Sequence, residues 1–307
     1  MNHFADRLAA AVRAKGNGLC VGLDPRWEAL PRELQARYGG DSLSAVARAY
    51  EEFCFRVLDV VAPLVPVVKP QSAFFEACGP EGLAVLQRVL SRARAQGLLT
   101  ILDGKRNDIA STAAAYADAA FGGVLLQGKR QPVWDADALT VNPYLGRDGV
   151  EPFLVSARQS GRGVFVLVRT SNPGAGQFQD LDCGGRPFFL HVAEAVGSWA
   201  REHLGRCGFG DVGAVVGATS PAELALVRQA LSATWFLLPG FGAQGATAAD
   251  TAAAFRPDGL GAVVNSSRGI TFCYPPGEAA WEEKIADATR IAIQALVTCT
   301  PMGRLLQ

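Results

Sequence analysis

Short runs of apolar, largely β-branched residues recur along the chain at a regular spacing. Such runs are nearly continuous rather than alternating with polar residues, which is typical of strands buried on both faces, as in a parallel sheet. Eight runs are present, at 19–24, 65–69, 98–103, 138–143, 163–170, 212–219, 234–240 and 261–267.

Amphipathic segments rich in Ala, Leu, Arg and Glu separate these runs and predict helices. The clearest cover 43–61, 81–96, 108–120, 188–204, 221–232 and 278–297, and two weaker ones cover 149–160 and 246–255. Eight strand–helix alternations are compatible with a closed (β/α)₈ barrel or with a large doubly wound sheet. The even spacing and the length of 307 residues favour a single α/β domain, a (β/α)₈ TIM barrel over 1–307 with an N-terminal helix and a C-terminal helix and tail.

Composition and charge argue against nucleic-acid binding, disulfide or metal frameworks, and membrane insertion. The 29 basic residues balance 29 acidic ones, so the chain lacks the electrostatic footprint of a nucleic-acid binder. Seven scattered cysteines without CxxC spacing and only three histidines argue against a disulfide framework or a metal site. No apolar stretch is long enough for a membrane span, and the first residues lack the apolar core of a signal peptide. We expect a cytoplasmic protein with no metal, no membrane and no nucleic-acid partner.

Polar side chains stand at nearly every predicted strand end, where the catalytic residues of barrel enzymes lie. A single charge there could be an ordinary solvated residue of the rim, but several charges of both signs converging on one mouth indicate a site. These residues are Asp24, Lys69, Asp103, Lys105, Asn142, Arg169, Ser171, Thr219, Asn265 and Arg268.

The densest cluster is the run from Asp103 to Asp108. Residues two apart on a strand face the same side, so Asp103 and Lys105 are expected to point together into the mouth. Asp108 could simply cap the helix that follows it. Alternatively, both aspartates hold the ammonium group of Lys105 and keep it positioned as a proton donor. Lys69 on the neighbouring strand would extend the cluster into an alternating network of lysines and aspartates.

The loops after the seventh and eighth strands predict a phosphate site. Barrels often bind phosphate there with backbone N–H groups, a helix N-terminus and an arginine, although the glycines could merely turn the chain. Residues 239–245 read Pro-Gly-Phe-Gly-Ala-Gln-Gly and are followed by a predicted helix, and Arg268 follows the eighth strand. Two other glycine patterns are interpreted as coincidences: the GxGxxG spacing of Gly240, Gly242 and Gly245, and the GxxxxGK spacing of 123–129.

Taken together, these motifs resemble the orotidine 5′-phosphate decarboxylase family, in particular its bacterial type 2 branch. The similarity covers about residues 18 to 270 in the family's order, whereas 121–137 and the tail after 298 carry no family signal. It rests on the stretches Gly22–Pro25, Lys69–Gln71, Asp103–Ile109, Ser171–Gly174, Pro239–Gly245 and Ser267–Gly269.

The resemblance implies a homodimeric barrel that converts orotidine 5′-monophosphate to uridine 5′-monophosphate and CO₂, the last step of de novo UMP synthesis, without cofactor or metal. The charged tetrad would be Lys69, Asp103, Lys105 and Asp108, with Lys105 as the proton donor. Further substrate contacts implied by the resemblance are Asp24 with Lys69 at the ribose, Ser171 at the pyrimidine, and Gln244 with Arg268 at the phosphate. Pro239 and Gly245, at the two ends of the Pro239–Gly245 stretch, would also bind the substrate. Asp108, Ile109 and Thr112 would reach into the partner subunit's site, so that the active sites are shared, and a loop at 240–247 would close over the substrate.

Three other functions remain as alternatives. A magnesium-dependent sugar-phosphate decarboxylase or synthase of the same superfamily shares Asp103 and Lys105 but carries an acidic residue in place of Lys69. A Schiff-base aldolase would need Lys105 as a neutral amine, which flanking carboxylates oppose. A non-enzymatic barrel that binds nucleotide phosphates is the third alternative, and the intact Lys105 and aspartates argue against it.

Overall fold

The predicted strand runs all form strands, and they lie where the apolar pattern placed them. The structure is a computed structural model, and it describes residues 3–218, 220–242 and 245–306. Its strands are β1 (Leu19–Leu23), β2 (Val67–Pro70), β3 (Leu99–Arg106), β4 (Val124–Leu126), β5 (Lys129–Gln131), β6 (Ala138–Val141), β7 (Gly163–Arg169), β8 (Val212–Val216), β9 (Phe236–Leu238) and β10 (Ala262–Ser266).

Helices follow most of the barrel strands and cover their outer faces. They are α1 (Phe4–Lys15), α2 (Arg32–Tyr38), α3 (Leu43–Val61), α4 (Ser72–Glu76), α5 (Gly79–Ala95), α6 (Ala110–Ala117), α7 (Arg147–Ser160), α8 (Gly176–Gln179), α9 (Phe188–Arg201), α10 (Pro221–Ala230), α11 (Arg268–Thr271) and α12 (Trp281–Cys299). The weak helix predicted at 246–255 is a short 3₁₀ segment, Ala249–Ala254. Among the described residues, no helix is long and apolar enough to cross a membrane.

Eight of the strands close into a parallel barrel in the order β1-β2-β3-β6-β7-β8-β9-β10. The closure is made by β10 pairing with β1, where Leu19 lies opposite Val264. The prediction of a (β/α)₈ barrel is therefore confirmed, and the doubly wound sheet is excluded because such a sheet has two open edges.

One end of the barrel is filled by apolar side chains. Val67, Ile101 and Phe165 belong to a buried cluster inside the barrel that also contains Phe4 and Leu8 of α1. The ring of Phe4 packs edge-on against Phe165, with 6.1 Å between the ring centroids. Because α1 covers the amino ends of the strands in this way, we expect a ligand site at the carboxyl ends.

Residues 118–131, most of them in the segment without a family signal, form an excursion from the barrel. A π-helical turn at Asp118–Gly122 leads into β4 and β5, which pair antiparallel as a hairpin. The turn residues Gln127 and Gly128 have φ of 50° and 76°, the left-handed region that tight hairpins require. The GxxxxGK pattern is therefore part of a hairpin rather than a phosphate loop that opens a helix.

Candidate active site

The carboxyl ends of the strands surround a cavity of about 390 Å³, a size suited to a small-molecule ligand. Its position follows from the alternation of side chains, because Lys69 of β2, Asp103 of β3 and Thr140 of β6 each come two positions after a residue of the apolar interior. The lining residues are Lys69, Asp103, Lys105, Thr140, Leu167, Thr170, Ser171, Asn172, Val215, Leu237 and Pro239.

Asp103 is the centre of the polar part of this cavity. Its side chain is 7% exposed, and each of its two carboxylate oxygens accepts two hydrogen bonds. Oδ2 accepts from Lys69 Nζ at 2.6 Å and from Gln71 Nε2 at 3.0 Å. Oδ1 accepts from Lys105 Nζ at 2.7 Å and from Thr140 Oγ1 at 2.9 Å. A carboxylate with this many donors is held in one orientation.

The two buried charges of this cluster stabilise each other. Burial by itself would raise the pKa of Asp103, but the charges of Lys69 and Lys105 outweigh it and hold that pKa well below its usual range. Burial would likewise lower the pKa of Lys69, and the nearby Asp103 and Asp24 charges reverse the effect and raise it. Both groups are therefore ionised at neutral pH.

Lys105 reaches Asp103 through an irregular backbone rather than through simple strand alternation. The pairing of β3 with β6 changes register between Leu102 and Arg106, and Lys105 has a φ of 44°. Its side chain is 46% exposed, so the ammonium group is anchored at Asp103 while facing the open cavity. The predicted proximity of the two side chains is present, but a bulge produces it.

The substrate-binding residues predicted from the sequence lie at different distances from this cavity. Ser171 and Pro239 line it. Asp24 lies just after β1, and its buried Oδ1 has no hydrogen-bond partner among the described residues. Arg268 is exposed at the start of α11 and makes no ion pair within the described part of the chain. Gly245 is exposed with φ of 91°, whereas Gln244 lies outside the described residues.

Among the described residues, Asp108, Ile109 and Thr112 form no hydrogen bond or ion pair with the side chains of Lys69, Asp103 and Lys105 in their own chain. Ile109 is 54% exposed, and Thr112 is exposed on α6. Asp108 does not cap that helix, because the N-cap position belongs to Ile109. Instead, Asp108 Oδ1 accepts from the N–H of Ile109 at 2.8 Å. Within the described ranges Asp108 forms no ion pair, so Lys105 contacts one carboxylate of this chain rather than two.

Two of the other polar residues at predicted strand ends, Arg169 and Asn265, are not among the residues that line the cavity. Arg169 turns away from it, and its Nε donates to Glu223 at 3.0 Å while its Nη2 donates to Asp180 at 3.2 Å. These bonds fix the segment after β7 against α10. Asn265 is buried on β10 and donates to Ser267 Oγ at 3.3 Å. Thr219 lies outside the described residues.

The structure adds two polar residues that sequence reasoning did not assign to the site. Gln71 and Thr140 both donate to Asp103. Thr140 sits inside a predicted strand, where threonine is an ordinary strand former. The signal that could have identified it is its position two residues after Ala138, a residue of the barrel interior, which turns it towards the cavity.

A group that could hold a metal ion lies far from this cavity. In the described ranges it consists of His3, His203 and Asp211, and it stands at the amino ends of the strands, since Asp211 directly precedes β8. His3 Nε2, at the N-cap of α1, lies 3.2 Å from the carbonyl oxygen of His203, and His203 Nδ1 lies 2.7 Å from Asp211 Oδ2. The Nε of Arg158 also donates to Asp211 Oδ2 at 3.0 Å. The group is thus engaged in holding α1 and the loop before β8 together.

Comparisons with known proteins agree on one family. Residues 17–282 match the family model described as orotidine 5′-phosphate decarboxylase / HUMPS family. A Rhodopirellula baltica protein named orotidine 5′-phosphate decarboxylase is 50% identical over 295 residues, which cover 95% of this chain and 97% of the relative. The protein of that name from Deinococcus radiodurans is 41% identical over 269 residues, 88% of this chain and 89% of the relative. The solved structure of Leishmania donovani OMP decarboxylase is 37% identical in sequence and superposes with a TM-score of 0.70. The alignment covers 94% of this chain and 99% of the Leishmania chain.

Proposed function

The chain belongs to the orotidine 5′-phosphate decarboxylase / HUMPS family, and from this membership and the site we propose that it decarboxylates orotidine 5′-monophosphate. The products are uridine 5′-monophosphate and CO₂, and the reaction is the last step of UMP synthesis. The observation that carries the proposal is the arrangement in which Asp103 holds Lys69 and Lys105 on its two oxygens at the mouth of the barrel.

Lys69 favours this reaction over magnesium-dependent chemistry at the same place. Its ammonium group lies 2.6 Å from Asp103 Oδ2, on the carboxylate that a divalent cation would need as a ligand. A buried cation already bound there repels a second one. We therefore propose a reaction that uses neither metal nor cofactor. We also propose a cytoplasmic location, in keeping with seven cysteines that are all free thiols.

Lys105 is the proposed proton donor. When the bond between C6 and the carboxylate breaks, CO₂ leaves and the electron pair stays on C6. The ammonium group of Lys105 stabilises this charge and transfers a proton to C6, which forms the C–H bond of the product. Asp103 Oδ1, which lies 2.7 Å from Nζ in the structure, orients the ammonium group for these steps, and solvent reprotonates the amine afterwards. Leu167, Val215 and Leu237 provide an apolar wall of the cavity beside the reacting groups.

The remaining site residues would bind the ends of the nucleotide. The partnerless Oδ1 of Asp24 is suited to accept a hydrogen bond from a ribose hydroxyl. Ser171 and Pro239 line the cavity where the pyrimidine ring would lie. We assign the phosphate to Arg268, Gly245 and Gln244, whose loops follow β9 and β10. A phosphate bound there lies far from C6 and supplies binding energy that holds the reacting ring in place.

We propose that the active protein is a homodimer with shared sites. Asp108, Ile109 and Thr112 are the residues assigned to the partner subunit's cavity, and within the described part of the chain none of them forms a hydrogen bond or ion pair with Lys105. The test is a mixture of Lys105→Ala and Asp108→Ala chains. If sites are shared, each mixed dimer contains one intact site, and equal mixing restores about one quarter of the wild-type activity. Activity that stays at the level of the separate variants contradicts sharing.

The reaction itself is tested by following the ultraviolet absorbance of orotidine 5′-monophosphate in excess chelator. Wild type and Lys129→Ala, which changes an exposed hairpin lysine, should turn over at equal rates, whereas Lys105→Ala should be inactive. Turnover that requires magnesium, or turnover only of sugar phosphates, favours the superfamily alternative. Binding of uridine 5′-monophosphate without any turnover favours the non-enzymatic barrel.

A further inference from the structure

The side chain of Thr140 binds both the backbone of Lys105 and Asp103, the carboxylate that holds the Lys105 ammonium group. It is 1% exposed on β6, and its Oγ1 lies 3.0 Å from the backbone N of Lys105 and 2.9 Å from Asp103 Oδ1. A backbone N–H can only donate, and an ionised carboxylate can only accept. The hydroxyl therefore accepts from Lys105 and donates to Asp103, with no alternative orientation.

The backbone that this hydroxyl binds is an unfavourable one. Lys105 has a φ of 44°, in the left-handed region that residues with a side chain rarely adopt. It stands in the bulge where the pairing of β3 with β6 changes register. At this point the N–H of Lys105 bonds to the Thr140 side chain, so that side chain supports the bulge.

Both ends of Lys105 are thereby tied to one oxygen atom. Its Nζ donates directly to Asp103 Oδ1 at 2.7 Å, and its N–H reaches the same oxygen through Thr140. A lysine side chain has a flexible four-carbon stem, and this one is 46% exposed. Fixing the backbone as well as the ammonium group restricts where Nζ can lie within the cavity.

We propose that Thr140 is a positioning residue that holds Lys105 in its reactive conformation. The proposal rests on the proposed function, because it assumes that Lys105 delivers a proton to C6. Thr140 touches no reacting atom in this mechanism; it acts through Lys105 and Asp103. Loss of its hydroxyl should therefore reduce the rate of proton transfer and leave binding of the nucleotide nearly unchanged.

The chain contains a matched control for the substitution. Thr100 is fully buried at the amino end of β3. Its Oγ1 accepts from the backbone N of Asp137 at 3.1 Å and donates to Asp137 Oδ2 at 3.1 Å. The same two bonds, from a backbone N–H and to a carboxylate, thus occur at the closed end of the barrel, away from the cavity. Thr100→Val removes a hydroxyl of the same chemistry without touching Lys105.

The experiment compares wild type, Thr140→Val, Thr140→Ser and Thr100→Val. We expect Thr140→Val to lower kcat by about 30-fold or more with KM changed less than about threefold, as for a displaced catalytic group. Thr140→Ser keeps the hydroxyl and should stay within about threefold of wild type. Thr100→Val should lose thermal stability and retain kcat. Thr140→Ala replaces the valine variant if the latter does not fold.

A second readout separates positioning from a loss of folded protein. The lysine that protonates C6 also removes that proton in the reverse direction, so bound uridine 5′-monophosphate should exchange its C6 hydrogen in D₂O, detectable by NMR. Thr140→Val should slow this exchange by a factor similar to the loss in kcat, per nucleotide-binding site. The proposal is overturned if kcat stays within threefold of wild type, if serine does not rescue, or if Thr100→Val loses kcat equally. An inactive wild type overturns the proposed function, and this proposal with it.

Discussion

Lys69→Met tests directly what the buried ion pair between Lys69 and Asp103 contributes to stability and activity. Lys69 and Asp103 are 2.6 Å apart, and their side chains are 6% and 7% exposed. Methionine has a similar unbranched shape and fills the same space, so the substitution removes the charge without leaving a large cavity. Asp103 then loses one of the two donors on Oδ2, where Gln71 alone remains.

The expected loss of stability follows from this geometry. Removing one partner of a buried ion pair costs about 3–5 kcal/mol, because the other charge stays buried with too few partners. Unfolding entropy is about 2.1 cal/mol/K per residue, which for 307 residues is about 0.6 kcal/mol/K. Thermal unfolding should therefore shift downwards by about 5–8 °C. The same change should reduce kcat at least about 100-fold, because Asp103 no longer holds a fixed orientation.

Differential scanning calorimetry and the ultraviolet assay measure the two effects on one preparation. The control is Lys284→Met, since Lys284 is exposed on α12 and makes no ion pair among the described residues; it should behave as wild type in both. A Lys69→Met protein that melts within about 1 °C of wild type would refute the reasoning about the buried pair. Lost activity with unchanged stability would mean that the pair serves the reaction and contributes nothing to folding.

Three further outcomes follow from the same structure. Arg268→Ala should lower kcat/KM for orotidine 5′-monophosphate about 10- to 100-fold, as for a lost charge-assisted hydrogen bond, and leave the slow reaction of orotidine, which has no phosphate, unchanged. Gly82→Ala should destabilise α5 despite the better helix propensity of alanine, because the added Cβ would lie 1.9 Å from the carbonyl oxygen of Phe75; urea unfolding at pH 7 measures this. The pKa of Asp103 is lower in the folded protein than its ordinary 3.8, so its stabilisation is complete above that value and is lost as the pH falls below it. The stability difference between wild type and Lys69→Met in urea should accordingly narrow from pH 5 to pH 3, and a difference that widens contradicts the assignment.

The sequence predicted the barrel well because each strand is buried on both faces. The run at 212–219, for example, is apolar at nearly every position, and β8 forms within it at Val212–Val216. The hairpin of β4 and β5 could not be predicted in this way, since its residues are exposed and carry no periodic pattern. The sequence predicts a longer helix at 246–255 than the 3₁₀ segment observed at Ala249–Ala254, because alanine has a high helix propensity regardless of packing.

The site was predictable as a set of strand-end charges, but its internal geometry was not. Alternation along β3 brings Asp103 into the cavity, whereas the conformation of Lys105 depends on a bulge between Leu102 and Arg106, for which Gly104 in the strand is a weak signal. The role of Thr140 could not be predicted either, because threonine is a common strand residue and only the structure shows that its hydroxyl binds Asp103 and Lys105. Arg169 shows the converse case: a charge at a strand end binds Glu223 outside the cavity.

The charges that meet at the mouth explain why the proposed reaction needs the partner subunit and the phosphate as well as Lys105. Within one chain, the ammonium groups of Lys69 and Lys105 are balanced by Asp103 and by Asp24, whose charge acts on Lys69. In the proposed dimer the partner's Asp108 adds a negative charge, so the carboxylate of the substrate enters a site with an excess of its own sign. Departure as neutral CO₂ removes that repulsion, while the charge left on C6 faces Lys105. The nucleotide must be held against the repulsion until then, and in the proposed mechanism Arg268 does so by binding the phosphate, away from the reacting C6. The loss of phosphate binding should therefore reduce kcat and not only affinity.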